Sequence, residues 1–177
     1  MKIISWNIRG LNNPHKHDII RNMIRDSNPD IFLIQETKMS REKVESLKFF
    51  KNGNVSGGSS EGASGGIATI WNLNTVKAQV FIQEGNFSCI KFEHLKDGFS
   101  WVLTNIYAPN TLKARNSFWK KITQARDIFK NISWVVMGDF NTPLREEEKF
   151  GGSPSQLESR LALLDFINTQ ALNDVEI

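Results

Sequence analysis

The sequence predicts a mixed α/β sandwich held in one domain. Strand-like and helix-like segments alternate at both ends of the chain, and a closely spaced run of strands lies between them. Two largely apolar runs, the continuous 31–34 and the buried-looking 132–137, each follow a helix-like segment and read as strands, the first buried on both faces. A chain of 177 residues that is 40% apolar and 10% aromatic is long enough to bury one sizeable core.

The elements follow in order. A first strand is expected over 3–8. Asn13 as N-cap and Pro14 at the first helical position open a helix whose Ile19, Ile20, Met23 and Ile24 share a face. Asn28-Pro29 stops it, and 30–34 forms the second strand. The polar stretch 38–50 has room for a short helix. Residues 57–66 contain five glycines and are expected to form a flexible loop, without the Gly-Lys-Ser/Thr ending of a phosphate-binding loop. Strands are expected over 66–71, 76–83, 87–93 and 99–107, with Lys96-Asp97-Gly98 turning the last two into a hairpin. A long helix over 112–130 places Phe118, Ile122, Ala125 and Phe129 on one face. The strand 132–137 follows. A polar loop carrying Glu146-Glu147-Glu148 and Gly151-Gly152-Ser153-Pro154 then leads into a final helix. Its Leu157, Leu161, Leu164 and Ile167 are expected to face the core.

Composition narrows the chemistry. The net charge of +3 is mild and supports no more than tolerance of polyanions. Cys89 is the only cysteine, which excludes a disulfide framework and a cysteine-rich zinc site; it reads as a small buried hydrophobe in an alternating strand. The chain opens directly on a strand-like run, and no apolar segment reaches membrane-spanning length. An address inside the cell, the nucleus included, is therefore expected, without signal peptide or membrane contact.

Four polar motifs stand where apolar runs stop: Ser5-Trp6-Asn7-Ile8-Arg9-Gly10-Leu11, Ile34-Gln35-Glu36-Thr37-Lys38, Asn105-Ile106-Tyr107-Ala108-Pro109-Asn110 and Gly138-Asp139-Phe140-Asn141. Strand ends of a layered sheet protein converge on one rim, the usual place for a site. Carboxylates, amides and a phenol without a Ser-His or Cys-His pair suit a hard cation and a phosphate better than covalent acyl chemistry. On that chemistry Glu36 is a Mg²⁺ ligand or a solvated strand end. Asp139 aligns or deprotonates a water, or simply forms a turn beside Gly138. Asn141 and Asn7 have amides that reach a phosphate oxygen or cap a turn, and Tyr107, the only tyrosine, binds phosphate or fills the sheet. Taken singly, each residue has its ordinary structural role; their joint occurrence in this order favours a site.

With these motifs the chain resembles the endonuclease/exonuclease/phosphatase superfamily, and within it the endonuclease domains of plant LINE-type (non-LTR) retrotransposons. The Glu148-Lys149-Phe150-Gly151-Gly152 stretch is similar to the LINE-type pattern as well. The resemblance implies a four-layer sandwich of two packed mixed sheets flanked by helices. It also implies Mg²⁺-dependent hydrolysis of a DNA phosphodiester, with Mn²⁺ as a substitute. Carried over by motif, Asn7 and Glu36 hold the metal, and Tyr107 and Asn110 contact the phosphate. Asp139 aligns the water and Asn141 steadies the phosphorus centre.

One departure is evident. The family pattern ends with further strands that bring an Asp and then Ser-Asp-His, whereas the only histidines here are His15, His17 and His94. The chain is therefore expected to be one domain over 1–177, incomplete at its C-terminus, with nicking reduced to a trace. A catalytically inert remnant or weak nucleic-acid binder stands as the alternative, and a phosphatase on inositol phosphates or lipids stands behind it. DNA is the expected partner. No stable protein partner is expected, but an uncovered sheet edge would favour non-specific self-association. Lys113, Arg115, Lys120, Lys121 and Arg126 of the long helix read as an ordinary solvated face, with contact to a DNA backbone as the alternative that their count alone does not establish.

Overall fold

Strand β1 (Ile3–Asn7) and strand β2 (Ile31–Gln35) pair in parallel, Ile3 opposite Ile31 and Asn7 opposite Gln35. A parallel pair needs a crossover, supplied by helix α1 (Pro14–Ser27). Its start is as the sequence reads: the Asn13 side chain accepts from the His15 N–H at 3.0 Å, and Pro14 follows directly. Its end is closed by Asn28, whose N–H donates to the Ile24 carbonyl at 2.8 Å and whose left-handed backbone (φ +45°) turns the chain out of the helix. The computed structural model describes residues 1–61, 64–144 and 157–175.

Contacts divide the chain into two units. Met1–Tyr107 with Phe129–Asp139 make the first, and Ala108–Ile128 with Phe140–Ile177 make the second. The first unit holds a four-stranded sheet ordered β1-β2-β4-β3, with β3 Gly53–Glu61 and β4 Ser64–Asn72. It also holds a second sheet ordered β5-β6-β7-β8, made of Val76–Gln83, Phe87–His94, Ser100–Tyr107 and Ser133–Asp139. Both sheets are mixed, since β1–β2 and β7–β8 are parallel and the other pairs antiparallel. The short helix α2 (Arg41–Glu45) lies beside the first sheet, with Val44 in its core.

β2 explains the sandwich. Phe32 and Ile34 pack with Ile20 and Ile24 of α1, while Ile31 and Leu33 pack with Ile90, Phe92, Trp101 and Leu103 of the second sheet. Alternation puts successive side chains on opposite faces, so residues 31–34, covered on both sides, are all apolar. Each such side chain contributes about 1.5–3 kcal/mol on full burial. The two mixed sheets with helices are the α/β architecture expected from the sequence.

The hairpin between β6 and β7 turns at Lys96-Asp97-Gly98 as read. Asp97 accepts from the Phe99 N–H at 3.0 Å, and Gly98 adopts φ +71°. The segment 57–66 is different: its described residues, 57–61 and 64–66, are not loop but the end of β3 and the start of β4. Two of its glycines are there for room. A Cβ at Gly57 would collide with Val44, and one at Gly58 with the Glu84 carbonyl. The strand 132–137 also needs correction. β8 is an edge strand with one neighbour, so its side chains are only partly covered, Val135 being 39% exposed.

The second unit pairs helix α3 (Leu112–Arg126) with helix α4 (Leu157–Thr169). Trp119 of α3 stacks on Phe166 of α4, ring centroids 4.8 Å apart, and also on Phe140. That stack selects which face of α4 is covered. Ser159, Leu163 and Phe166 are buried, whereas Leu157, Leu161 and Leu164, expected in the core, are exposed. Helix α3 ends earlier than the 112–130 expected, and Phe129 belongs to the first unit, stacked on Phe81. The glutamates 146–148 and the 148–152 stretch lie outside the described residues.

Candidate active site

The ends of β1 and β8 meet in a hydrogen bond. Asn7 Nδ2 donates to Asp139 Oδ2 at 2.5 Å, while Asn7 Oδ1 accepts from the Arg9 N–H at 3.0 Å. Asn7 is thus held on both sides of its amide, by a carboxylate and by its own turn. Tyr107 lies beside Asp139 as its register partner on β7. Its N–H donates to the Asn86 carbonyl at 2.8 Å. Gly138 is required just before the acid: at φ +139° its Cα faces the Ile106 backbone, and any Cβ would collide with it. Asp139 is in this way set against β7 by a residue that only glycine can be.

Glu36 leaves β2 on the same sheet as Asn7. It adopts φ +57°, and its carbonyl accepts from the Gly10 N–H at 2.7 Å. Its carboxylate, 16% exposed, pairs with Lys38 Nζ at 3.0 Å. Left-handed backbone is uncommon outside glycine. Here it occurs at Arg9, Glu36, Lys38 and Asn141, which fall within three of the polar motifs. Such strain persists only where surrounding contacts over-determine it, and it gathers at functional turns.

Behind this rim, a buried polar network joins the two sheets. Gln35 Nε2 donates to Asn105 Oδ1 at 2.8 Å and to Ser5 Oγ at 3.0 Å. Asn105 Nδ2 donates to the Ala68 carbonyl at 3.0 Å. A buried amide without partners costs about 1–3 kcal/mol, so two complementary amides fix the registration of β2 against β7. The sequence offered these residues only as motif neighbours, and their pairing across the sandwich was not legible in it.

The second unit carries the other two sequence-predicted residues. Asn141 Nδ2 donates to the Ala108 carbonyl at 2.6 Å. Asn110 is exposed, and its carbonyl accepts from Arg115 Nη2 at 2.8 Å, while Pro109 accepts from Nε at 2.6 Å. Arg115 is therefore not part of a solvated face. It is 7% exposed, and burial lowers its pKa. Spacing alone could have found it, because Arg115, Phe118 and Ile122 keep the period of one helical face.

Of the sequence-predicted residues, Asn7, Glu36, Tyr107 and Asp139 lie in the first unit, with Asn7 and Asp139 in direct contact. Asn110 and Asn141 lie in the second. The three histidines also belong to the first unit. His15 and His17 are on α1, with His17 Nε2 2.7 Å from the Leu11 carbonyl, and His94 pairs with Asp97 at 2.9 Å. No helix among the described residues is long and apolar enough to cross a membrane.

Solved structures share this arrangement of strands. An AP endonuclease, LMAP, from Leishmania major superposes with a TM-score of 0.80 at 17% identity, over 96% of this chain and 66% of that one. The endonuclease domain of TRAS1, a telomere-specific non-LTR retrotransposon, gives 0.70 at 12% identity, over 96% and 71%. A 3′ phosphatase, NExo, from Neisseria, bound to a product DNA hairpin, gives 0.68 at 20% identity, over 95% and 70%. At these identities the likeness is one of fold. This chain spans slightly under two thirds of the Leishmania protein's length. The model of the endonuclease/exonuclease/phosphatase family matches residues 4–173, taking in the motifs of all four strand ends, and the chain belongs to that family.

Proposed function

We propose that this chain is the nuclease domain, or part of one, of a LINE-type element, acting on DNA phosphodiesters with the help of Mg²⁺ or Mn²⁺. Both units are taken as parts of that one domain. The observation that supports this most is the 2.5 Å hydrogen bond between Asn7 and Asp139. An amide donor on the carboxylate fixes its orientation, as alignment of a water molecule requires.

The donor set suits a hard divalent cation. Glu36 and Asn7 provide one carboxylate and one amide at neighbouring strand ends, and Mg²⁺ needs only one or two protein carboxylates because it retains several waters. When bound, such an ion supplies Lewis-acid stabilisation of charge on the phosphoryl oxygens. Glu36 and Asn7 would hold it. Asp139 would orient the attacking water and take its proton, and Tyr107 would donate its phenolic hydrogen to the phosphate. For Asn110 and Asn141 we retain the roles that the motif resemblance implies, phosphate contact and support of the phosphorus centre.

A second reading, nucleic-acid binding without cleavage, draws on the placement of the histidines. His17 Nε2 lies 2.7 Å from the Leu11 carbonyl and His94 pairs with Asp97 at 2.9 Å, so neither of these two imidazoles is assigned the role of base. Cleavage of a fluorescent DNA duplex with and without Mg²⁺ separates the two. Metal-dependent cutting that disappears in Asp139→Ala supports the nuclease. Binding with no cutting at any metal concentration supports the second reading.

A further inference from the structure

Lys38 belongs to the second polar motif, yet the proposed reaction leaves it without a task. Its position is built with some care. Its backbone is left-handed at φ +55°, two residues after Glu36 in the same conformation. Its N–H donates to the Gly65 carbonyl at 3.0 Å, and its carbonyl accepts from Asn12 Nδ2 at 3.0 Å. The aliphatic stem runs over Gly10, where an added Cβ would lie 3.4 Å from Lys38 Cδ. Two strained residues, a glycine and two backbone anchors thus deliver the ammonium to Glu36 Oε1 at 3.0 Å. An ordinary surface ion pair has no such scaffold.

We propose that Lys38 is a built-in competitor for the divalent cation on Glu36 and sets the affinity of that site. The inference rests on the reading of Glu36 as a cation ligand. A divalent ion binding there must draw a carboxylate oxygen away from the ammonium, and it then faces a positive charge still tethered nearby. Both effects weaken binding. They also give the displaced ammonium a natural acceptor, a phosphodiester oxygen at the same rim, so that phosphate and divalent ion would favour each other's binding. Lys38 is on this view a positioning residue acting through Glu36.

The sign of the effect separates this role from a structural one, because a residue that merely props up the turn would weaken binding when removed. The test is calorimetric titration of Mn²⁺ into the wild-type chain and into Lys38→Met, Lys38→Arg and Glu36→Gln, each checked for native circular dichroism. Lys38→Met keeps the stem over Gly10 and removes the charge. It is expected to bind Mn²⁺ about two- to fivefold tighter than wild type, the worth of a partly exposed ion pair. Lys38→Arg should match wild type, and Glu36→Gln should lose binding. Equal or weaker binding by Lys38→Met overturns the competitor role alone. Absence of binding by wild type and Lys38→Met together overturns the cation reading of Glu36, and this inference with it.

Discussion

Gln35 and Asn105 donate and accept across the two sheets at 2.8 Å, and each residue is 1% exposed. Gln35 immediately precedes Glu36, and Asn105 lies two residues before Tyr107. The pair therefore ties the strand that ends in a proposed cation ligand to the strand that ends in a proposed phosphate ligand. Replacing one partner strands the other in an apolar interior. Gln35→Leu or Asn105→Leu should each lower stability by about 1–3 kcal/mol, and the double variant by less than their sum. Urea denaturation of the four chains measures this. Additive losses would mean that the two amides do not work as a pair.

Gly138→Ala should cost more than Gly98→Ala, although both glycines have positive φ. At Gly98 a Cβ meets nothing within 4 Å, so the cost is that of the left-handed backbone, about 1–2 kcal/mol. At Gly138 the added carbon also collides with the Ile106 backbone and must push β8 away from β7. Thermal melts of the two variants should rank in that order. A reversal would show that β8 yields freely at its edge.

The sandwich itself was legible because burial on two faces demands an unbroken apolar run. Residues 31–34 of β2 meet that demand, and the N-cap and proline of α1 are local signals that depend on nothing distant. The readings that failed depend on partners far away in sequence. Glycines at 57 and 58 suggest a loop until Val44 and Glu84 are seen against them. The apolar run of β8 resembles that of β2, yet it lies at the edge of its sheet. On α4 two leucine-bearing faces compete, and the Trp119 stack on Phe166 decides between them. Within the site, the motifs showed where the chain turns, while the pairing of Asn7 with Asp139 spans most of the sequence.

The face of α4 gives a direct comparison. Leu163 is 1% exposed and Leu161 is 55% exposed. Leu163→Ala should destabilise by about 2–5 kcal/mol, whereas Leu161→Ala should lie within about 0.5 kcal/mol of wild type. Chemical denaturation followed by tryptophan fluorescence reports on both. Similar losses would restore the leucine stripe to the core.

Cys89 supplies a pH dependence with a definite sign. Burial raises its thiol pKa from 9.0 to about 11, against a smaller lowering by the Thr104 hydroxyl. The folded state thus holds the proton more tightly than the unfolded one, so its contribution is complete below pH 9 and is lost as the pH rises toward about 11. Wild type should lose stability relative to Cys89→Ala across that window, and the native thiol should resist disulfide reagents at pH 8. Rapid labelling of the folded protein would show that the thiol is not enclosed.

The reading of the rim as a hydrolytic site is tested most directly by a double-mutant cycle on Asn7 and Asp139, scored by Mg²⁺-dependent relaxation of supercoiled plasmid. Groups that act as one unit give losses that do not multiply. Asp139→Ala should reduce nicking by about 10²–10⁴-fold, as loss of general-base assistance does, and adding Asn7→Ala should remove little more. Full nicking by folded Asp139→Ala, or losses that multiply in the double variant, would contradict a site built on this pair.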